Sequence, residues 1–413
     1  MPKVSEKLFV IAMLFYTTGA VLPLLLERQN SGIRTEDNPI ELAIQTAFYL
    51  GAFWFMAIRW RTVFKGALSA KWILCLTFVA IASTAWSDDA GFTIRRSVVL
   101  FATTLFGVYF GSRFTVPQQL RLLVWTFVLV VLSSFAIAIL LPRYGIDHWH
   151  HPGDWQGAFP QKNTLARAMV LAISVFYFAR PWTARVVCWV GTVGALGLLV
   201  CSRSLTGALV VCAIAATVPM YKIWRSRIQV GIPLVIAVVL TVGGSLLILF
   251  YSLSDVFEAL HRDSTLTGRS ELWNAVVMAI TKRPFLGYGF GGFWKGWAGE
   301  SATVWLTVQW KPLHSHNGFL DLMLELGLLG LVIFAVGYFV SLRRALALLK
   351  RMPGTVPVWL CTYLVFMLLA NLTETAILGP NNIYWVLYTA TAVSIVLNSS
   401  ATAPIPETGF DLD

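Results

Sequence analysis

HSHNGFLDLMLELGLLG, residues 314–330, sets two histidines and an asparagine directly before a long apolar stretch, with two carboxylates, Asp321 and Glu325, just inside it. From Leu326 the stretch runs on to residue 341 without another charge, so the whole segment 319–341 is long enough to cross a bilayer. Working outward, runs of the same kind recur at 8–26, 40–58, 71–86, 97–111, 120–141, 163–179, 186–201, 205–221, 228–251, 356–375 and 382–398, twelve in all. Inside lipid a backbone has to satisfy its own hydrogen bonds, so each run reads as a helix. Of the 413 residues, 57% are hydrophobic and only 12% charged; soluble domains carry about a quarter charged residues. The expected fold is an all-α polytopic membrane protein of about twelve transmembrane helices, forming one integral membrane domain over 1–398. Residues 399–413 (SSATAPIPETGFDLD) are polar and contain proline, and read as a disordered tail. The run at 8–26 is too long for a signal-peptide core and lacks a clear small-x-small cleavage site, so it reads as a retained anchor.

The net charge of +11 raises the question of nucleic acid, and its distribution answers it. The loops 59–71, 112–121, 180–185, 222–227 and 343–351 hold fifteen Lys/Arg, against seven in the alternate loops 27–39, 87–96, 142–162, 202–204 and 376–381. A basic excess on alternate loops marks the cytoplasmic side. Both termini are then expected in the cytoplasm, with the long segment 252–318 and the loop 142–162 outside. The positive charge is a topology signal and needs no nucleic-acid partner. The five cysteines lie in or beside apolar runs, without CxxC spacing, and read as small packing residues.

All six histidines fall in the two outer segments: His148, His150, His151, His261, His314 and His316. HWHHPGDW, 148–155, brings three of them near Asp154, but without the helical i, i+4 spacing that would recommend a metal site. His314 and His316 precede Asn317, a natural helix cap. An imidazole there can take a proton from a hydroxyl and release it later. Carboxylates within a membrane segment are functional candidates, so Asp321 and Glu325, four residues apart on one face, receive a supporting role as partners for arginine or histidine at the same lip. TGRSELWNAVVMAITKRP, from Thr267, repeats Leu272, Trp273, Val276, Val277 and Ile280 on one helical face. It predicts an amphipathic helix, either packed on its neighbours or lying on the outer membrane surface over a cavity. FLGYGFGGFW, 285–294, is rich in glycine but has no GK[ST] and no βαβ context. We read it as a tight turn that brings backbone close to a sugar or lipid.

Arginines Arg95 and Arg96 read as snorkelling anchors at a helix end. Arg203 is held in the very short turn of CSRSLTG, and Arg269 opens the amphipathic helix. With Lys162, Asn163 and Arg167 at the start of another run, these groups suit a lipid-linked phosphate, for which the planar guanidinium fork is favoured.

Together these residues resemble the O-antigen ligase/Wzy-type polymerase superfamily. His316-Asn317, nine residues, Gly327, two residues and Gly330 fit its ligase-like pattern H-[NSQ]-x9-G-x2-[GTY]. FPQKNTLARA (159–168), CSRSLTG (201–207), TGRSELW (267–273), PFLGYGFGGFW (284–294) and HSHNGFLD (314–321) follow in the family's order. AWSDDAGFTIRRS (85–97) and FPQKNTLARA look most like the ExoQ-type exopolysaccharide polymerases. The resemblance covers roughly residues 70–400. It implies a GT-C-like, inverting, metal-independent glycosyltransferase without cofactor in the bacterial inner membrane. Such an enzyme moves a glycan from undecaprenyl pyrophosphate to an acceptor glycan at the periplasmic face, with chain-length regulator and export proteins as further partners. By the same resemblance His316, Arg203 and Arg269 are catalytic, and Lys162, Asn163, Arg167, His314, Asn317 and Asp321 bind substrate. The polymerase reading is preferred to a ligase that attaches the glycan to lipid A core. A lipid-linked oligosaccharide flippase is the competing class. Transport calls for polar groups near the midplane, whereas here the ionisable residues crowd the lip.

Overall fold

The structure, a computed structural model, describes residues 2–22, 39–148, 151–226 and 267–399. The predicted span 228–251, the segment 252–266 with His261, His150 and the tail from 400 lie outside the described residues. Within them the chain is all-α, and the one extended pairing is an isolated bridge between Ile146 and Trp155.

The helices are α1 (Val4–Thr17), α2 (Pro39–Ile58), α3 (Trp60–Ser69), α4 (Lys71–Ala82), α5 (Ala90–Arg113), α6 (Val116–Leu140), α7 (Lys162–Ala179), α8 (Arg185–Cys201), α9 (Leu205–Ser226), α10 (Thr267–Lys282), α11 (Glu300–Val308), α12 (Gly318–Arg351), α13 (Thr355–Thr373) and α14 (Ile383–Ser399). Every apolar run within the described residues falls on a helix, the first carrying α1 to Thr17 with its residues 23–26 outside the described residues. Among the described residues, five helices, α2, α5, α6, α12 and α13, are long and apolar enough to cross a membrane. The pair α3 and α4, bent by 89° at Ala70, adds a sixth if counted as one span. The protein is thus a multi-pass membrane protein. The helix α3 was not expected; it occupies a stretch read as a basic loop.

Local chemistry fixes the ends. A capping box joins Thr115 and Gln118 at the start of α6, where Pro117 occupies a first-turn position that needs no amide donor. Small residues let helices approach: Gly107 and Gly111 of α5 face Thr389 and Ala390 of α14, where an added Cβ would come within 2.7 Å. At the other side of α5, Arg113 donates through Nε and Nη2 to both oxygens of the buried Glu6, at 2.8 and 3.1 Å, and Tyr109 adds a third bond at 2.7 Å. This buried pair ties α1 to α5.

Two expectations about the site scaffold change. The span that follows His316 is not a straight rod: Gly327 has φ 61° and ψ −158°, which breaks α12 two turns in. The GFG-rich loop fills the break. Leu328 and Leu329 donate to the carbonyls of Pro284 and Phe285 at 2.8 and 3.2 Å, while Tyr288 and Gly289 donate to Leu324 and Glu325 at 2.8 and 3.0 Å. Backbone groups freed at a break inside lipid need such partners. The loop therefore comes close to helix backbone. Gly287, φ 65°, is required by the same contact, since a Cβ there would sit 2.5 Å from the Leu324 carbonyl oxygen. The amphipathic helix α10 resolves in favour of packing on its neighbours. Leu272, Val276 and Ile280 are buried with Tyr288, Phe293, Val304, Val308 and Leu324, although Val277 is exposed.

Candidate active site

Asn317 caps α12 as expected, its Oδ1 accepting from the amides of Phe319 and Leu320 at 3.0 and 3.3 Å. The residue before it, His316, is held at φ 53°. A non-glycine residue is kept in this region only where its surroundings over-determine it. Those surroundings are visible. The buried Asp321 accepts from the Ser315 amide at 3.0 and 3.2 Å, from Trp294 Nε1 at 3.1 Å and from the Thr375 hydroxyl. Trp273 of α10 donates to the Ser315 carbonyl at 2.9 Å. Asp321 thus pins the loop that carries the histidines; among the described residues it forms no ion pair with the arginine or histidine expected as its partner. Glu325 likewise serves the loop, accepting from the Gly291 amide at 3.1 Å.

The partner of the His316 ring is a residue that the sequence reading missed. Glu374, the C-cap of α13, places both carboxylate oxygens 3.3 Å from His316 Nδ1. The same carboxylate lies 3.5 Å from Arg269 Nη2 at the start of α10. Burial alone would raise the Glu374 carboxyl; the hydrogen bond and charge of His316, joined by His314 and Arg167, outweigh it and hold the group ionised well below the usual range. An anion there favours Nδ1–H on His316 and leaves Nε2 with its lone pair. His314 packs beside it, ring centroids 4.1 Å apart, and its Nδ1 accepts from the His316 amide at 3.2 Å. Burial, reinforced by the neighbouring His316, pushes His314 down to about 3. His314 is then neutral near pH 7 and serves as an acceptor. The only signal for Glu374 in the sequence is a carboxylate at the end of an apolar run, in ANLTETAIL.

A second cationic group forms around Asp154. This buried carboxylate accepts from Lys162 Nζ at 2.7 Å, and Arg203 Nη1 lies 3.5 Å from its other oxygen. Arg203 has φ 48° and a side chain 70% exposed. Its acidic partner comes from the HWHHPGDW loop, whose Asp154 is engaged with these two cations. Next to it, Ser204 donates to Asn163 Oδ1 at 3.2 Å. Arg167 lies between the two centres. It donates to the Thr375 carbonyl at 3.4 Å and stacks 4.4 Å above the Tyr384 ring. A small cleft touches both centres, lined by the polar Asn163, Arg167, Thr206 and Glu374 and by the apolar Val170, Val210, Phe366 and Ala370.

The structure thus brings His314, His316, Asn317, Asp321 and Arg269 into one cluster and Lys162, Asn163 and Arg203 into another, with Arg167 between. The arrangement offers a held imidazole, a buried carboxylate behind it and several cations around an amphipathic cleft. Such a set can remove a proton from a hydroxyl beside a bound anion.

Comparison with known proteins agrees with the motif reading. The O-antigen ligase family (Wzy_C) matches residues 190–335, which include Arg203, Arg269 and His316. The exopolysaccharide production protein ExoQ of Rhizobium meliloti is 25% identical over 305 residues, covering 70% of this chain and 69% of ExoQ. Two proteins that are polysaccharide ligases by name, from Rickettsia conorii and Rickettsia prowazekii, are 38% and 39% identical, each over 66 residues; the match spans 15% of this chain and 16% of each relative. The chain is therefore a multi-pass membrane protein whose residues 190–335 match the O-antigen ligase family and which is similar over most of its length to the exopolysaccharide production protein ExoQ.

Proposed function

We propose that this protein is a polymerase of bacterial surface or exopolysaccharide, transferring an undecaprenyl-pyrophosphate-linked glycan to the hydroxyl of an acceptor sugar. The observation that carries the reading is the Glu374 carboxylate, which contacts the His316 ring and Arg269 at once. It joins a base to a cation at the end of an amphipathic cleft. His316 Nε2 takes the acceptor proton as the hydroxyl oxygen attacks the anomeric carbon. The bond to the pyrophosphate oxygen breaks on the opposite face, which inverts the configuration. Nδ1–H donates to Glu374, whose charge stabilises the imidazolium that forms. Arg269, Arg203, Lys162 and Arg167 neutralise the departing pyrophosphate, where fixed cations lower the barrier most. The apolar wall of the cleft suits the first part of a polyprenyl chain, and no step calls for a metal.

The reading includes one membrane domain over 1–398 with about twelve spans in the inner membrane, both termini in the cytoplasm and the site in the periplasm. The Lys/Arg asymmetry supports it. Cysteines at the exposed positions Thr303 and Lys65 test it with an impermeant thiol reagent on whole cells; labelling at 65 and not at 303 would reverse the orientation. Chain-length regulator and export proteins are the partners such a polymerase works with.

A ligase reading has its own support in the family description and in the names of the Rickettsia relatives. Purified protein supplied with a lipid-linked repeat unit separates the two. A polymerase lengthens the glycan without lipid A core, and a ligase acts only when the core is added.

A further inference from the structure

We propose that His314, His316 and Glu374 form a binding site for a divalent transition-metal ion of the zinc type, and that the bound ion switches off the His316 base. The site lies away from the HWHHPGDW loop, whose spacing does not recommend a metal site. In the HWHHPGDW loop, Asp154 is occupied by Lys162 and Arg203 and His148 is exposed. Two imidazoles and a carboxylate converge instead at the start of α12, each with a ligand atom within 4.8 Å of the other two.

The geometry suits a small tetrahedral ion. Zinc bonds to nitrogen and oxygen are about 2.0–2.1 Å, which puts neighbouring ligand atoms about 3.4 Å apart. His316 Nδ1 and the Glu374 oxygens already stand at 3.3 Å. His314 offers the third ligand nitrogen within 4.8 Å of these two, with the fourth position left to water. Two imidazoles with one carboxylate favour Zn2+ or Co2+ over Mg2+ and Ca2+. Metal ligands must be unprotonated.

One feature opposes binding. Arg269 stands 3.5 Å from Glu374, and the charge of Arg167 also reaches this carboxylate. A dication has to displace or tolerate both. The affinity expected is on the order of micromolar, well short of a dedicated structural zinc site. The consequence for the ring follows from proton counting. With the metal on the Nδ1 lone pair, the one proton of a neutral imidazole sits on Nε2, and Nε2 can no longer accept one. This second half rests on the proposed role of His316, whereas the binding itself does not.

The test uses the full-length protein in detergent. Zn2+ is titrated against a chromogenic chelator, and Co2+ is followed through its visible absorption bands. The expected result is one equivalent per chain and an intense tetrahedral Co2+ spectrum. His314→Ala and Glu374→Gln should each weaken Zn2+ binding about tenfold or more, while the double variant His148→Ala/His151→Ala leaves it unchanged. The wild-type titration stands whether or not a variant folds, and melting curves identify variants that do not. Absence of saturable binding by the wild type would overturn the site, as would binding that survives both substitutions and is lost in the His148 double variant. In the chain-growth assay, Zn2+ should inhibit over the same concentrations and chelation should restore activity. Zinc bound at this site with chain growth unimpaired would keep the site and overturn the switch, and with it the base role of His316.

Discussion

His316 and Glu374, separated by fifty-eight positions in the chain, meet at 3.3 Å, with the histidine Nδ1 facing both oxygens of the carboxylate. The pair joins the loop before α12 to the end of α13, and Arg269 closes it from α10. Replacing Glu374 with Gln keeps the shape and removes the charge. A hydrogen bond to a charged group contributes about 1.5–3 kcal/mol, so kcat should fall roughly tenfold to a hundredfold with a smaller change in KM. Steady-state kinetics on a lipid-linked repeat unit read the split. A rise in KM with kcat intact would recast Glu374 as a binding group.

Arg269 and Arg203 differ in setting, and their lysine variants should differ too. Arg269 is nearly buried against Glu374, whereas Arg203 is 70% exposed and only loosely held by Asp154. An ammonium cannot reproduce the guanidinium fork. Arg269→Lys should cost on the order of 2 kcal/mol or more of transition-state stabilisation, and Arg203→Lys less. Chain-growth rates compare them, and equal, near-normal activity in both would reduce the two arginines to anchors.

His314 makes stability depend on pH. His314 titrates at about 3 in the folded protein against 6.5 when unperturbed, because burial disfavours its charged form. The unfolded chain then binds the proton that the folded protein refuses, so stability rises with pH. The contribution is fully present above about 6.5 and is lost as pH falls toward about 3. Melting temperatures between pH 7 and pH 4 should fall in the wild type, and the fall should shrink in His314→Gln. An undiminished fall in the variant would assign the acid sensitivity elsewhere.

Gly327 breaks α12 at φ 61°, and a Cβ there would sit 2.5 Å from the Leu286 amide nitrogen. Gly327→Ala therefore strains the backbone and pushes away the loop that satisfies four backbone groups at the break. A loss of about 1–3 kcal/mol is expected from the backbone conformation alone, more with the clash. Thermal unfolding in detergent measures it, and a melting temperature equal to that of the wild type would contradict the break.

The features legible in the sequence were those carried by local pattern. Apolar runs gave the helices, Asn317 gave the cap, and the periodicity from Leu272 to Ile280 gave α10. The features that stayed hidden depend on distant partners. Nothing near Glu374 in the chain says that it reaches His316, and nothing in CSRSLTG says that Asp154 answers Arg203. Asp321 was assigned to arginine because a carboxylate in a membrane needs a donor; its donors turned out to be an amide, an indole and a hydroxyl. The glycines of 285–294 and Gly327 belong to one contact, loop backbone on broken helix, which hydropathy reads as an unbroken span. The helix α3 was missed because Arg59, Arg61 and Lys65 gave its sequence the look of a basic loop.

The base assignment is tested most directly by chain growth in the purified protein, comparing His316→Ala with His314→Ala on a lipid-linked repeat unit. His316 points at Glu374, whereas His314 is a half-buried acceptor for the His316 amide. Removal of a general base costs about a hundredfold or more, so His316→Ala should lose nearly all transfer while remaining folded in the membrane, and His314→Ala should retain a larger share. Substantial polymer from His316→Ala, with His314→Ala inactive, would contradict the assignment and move the base two residues upstream.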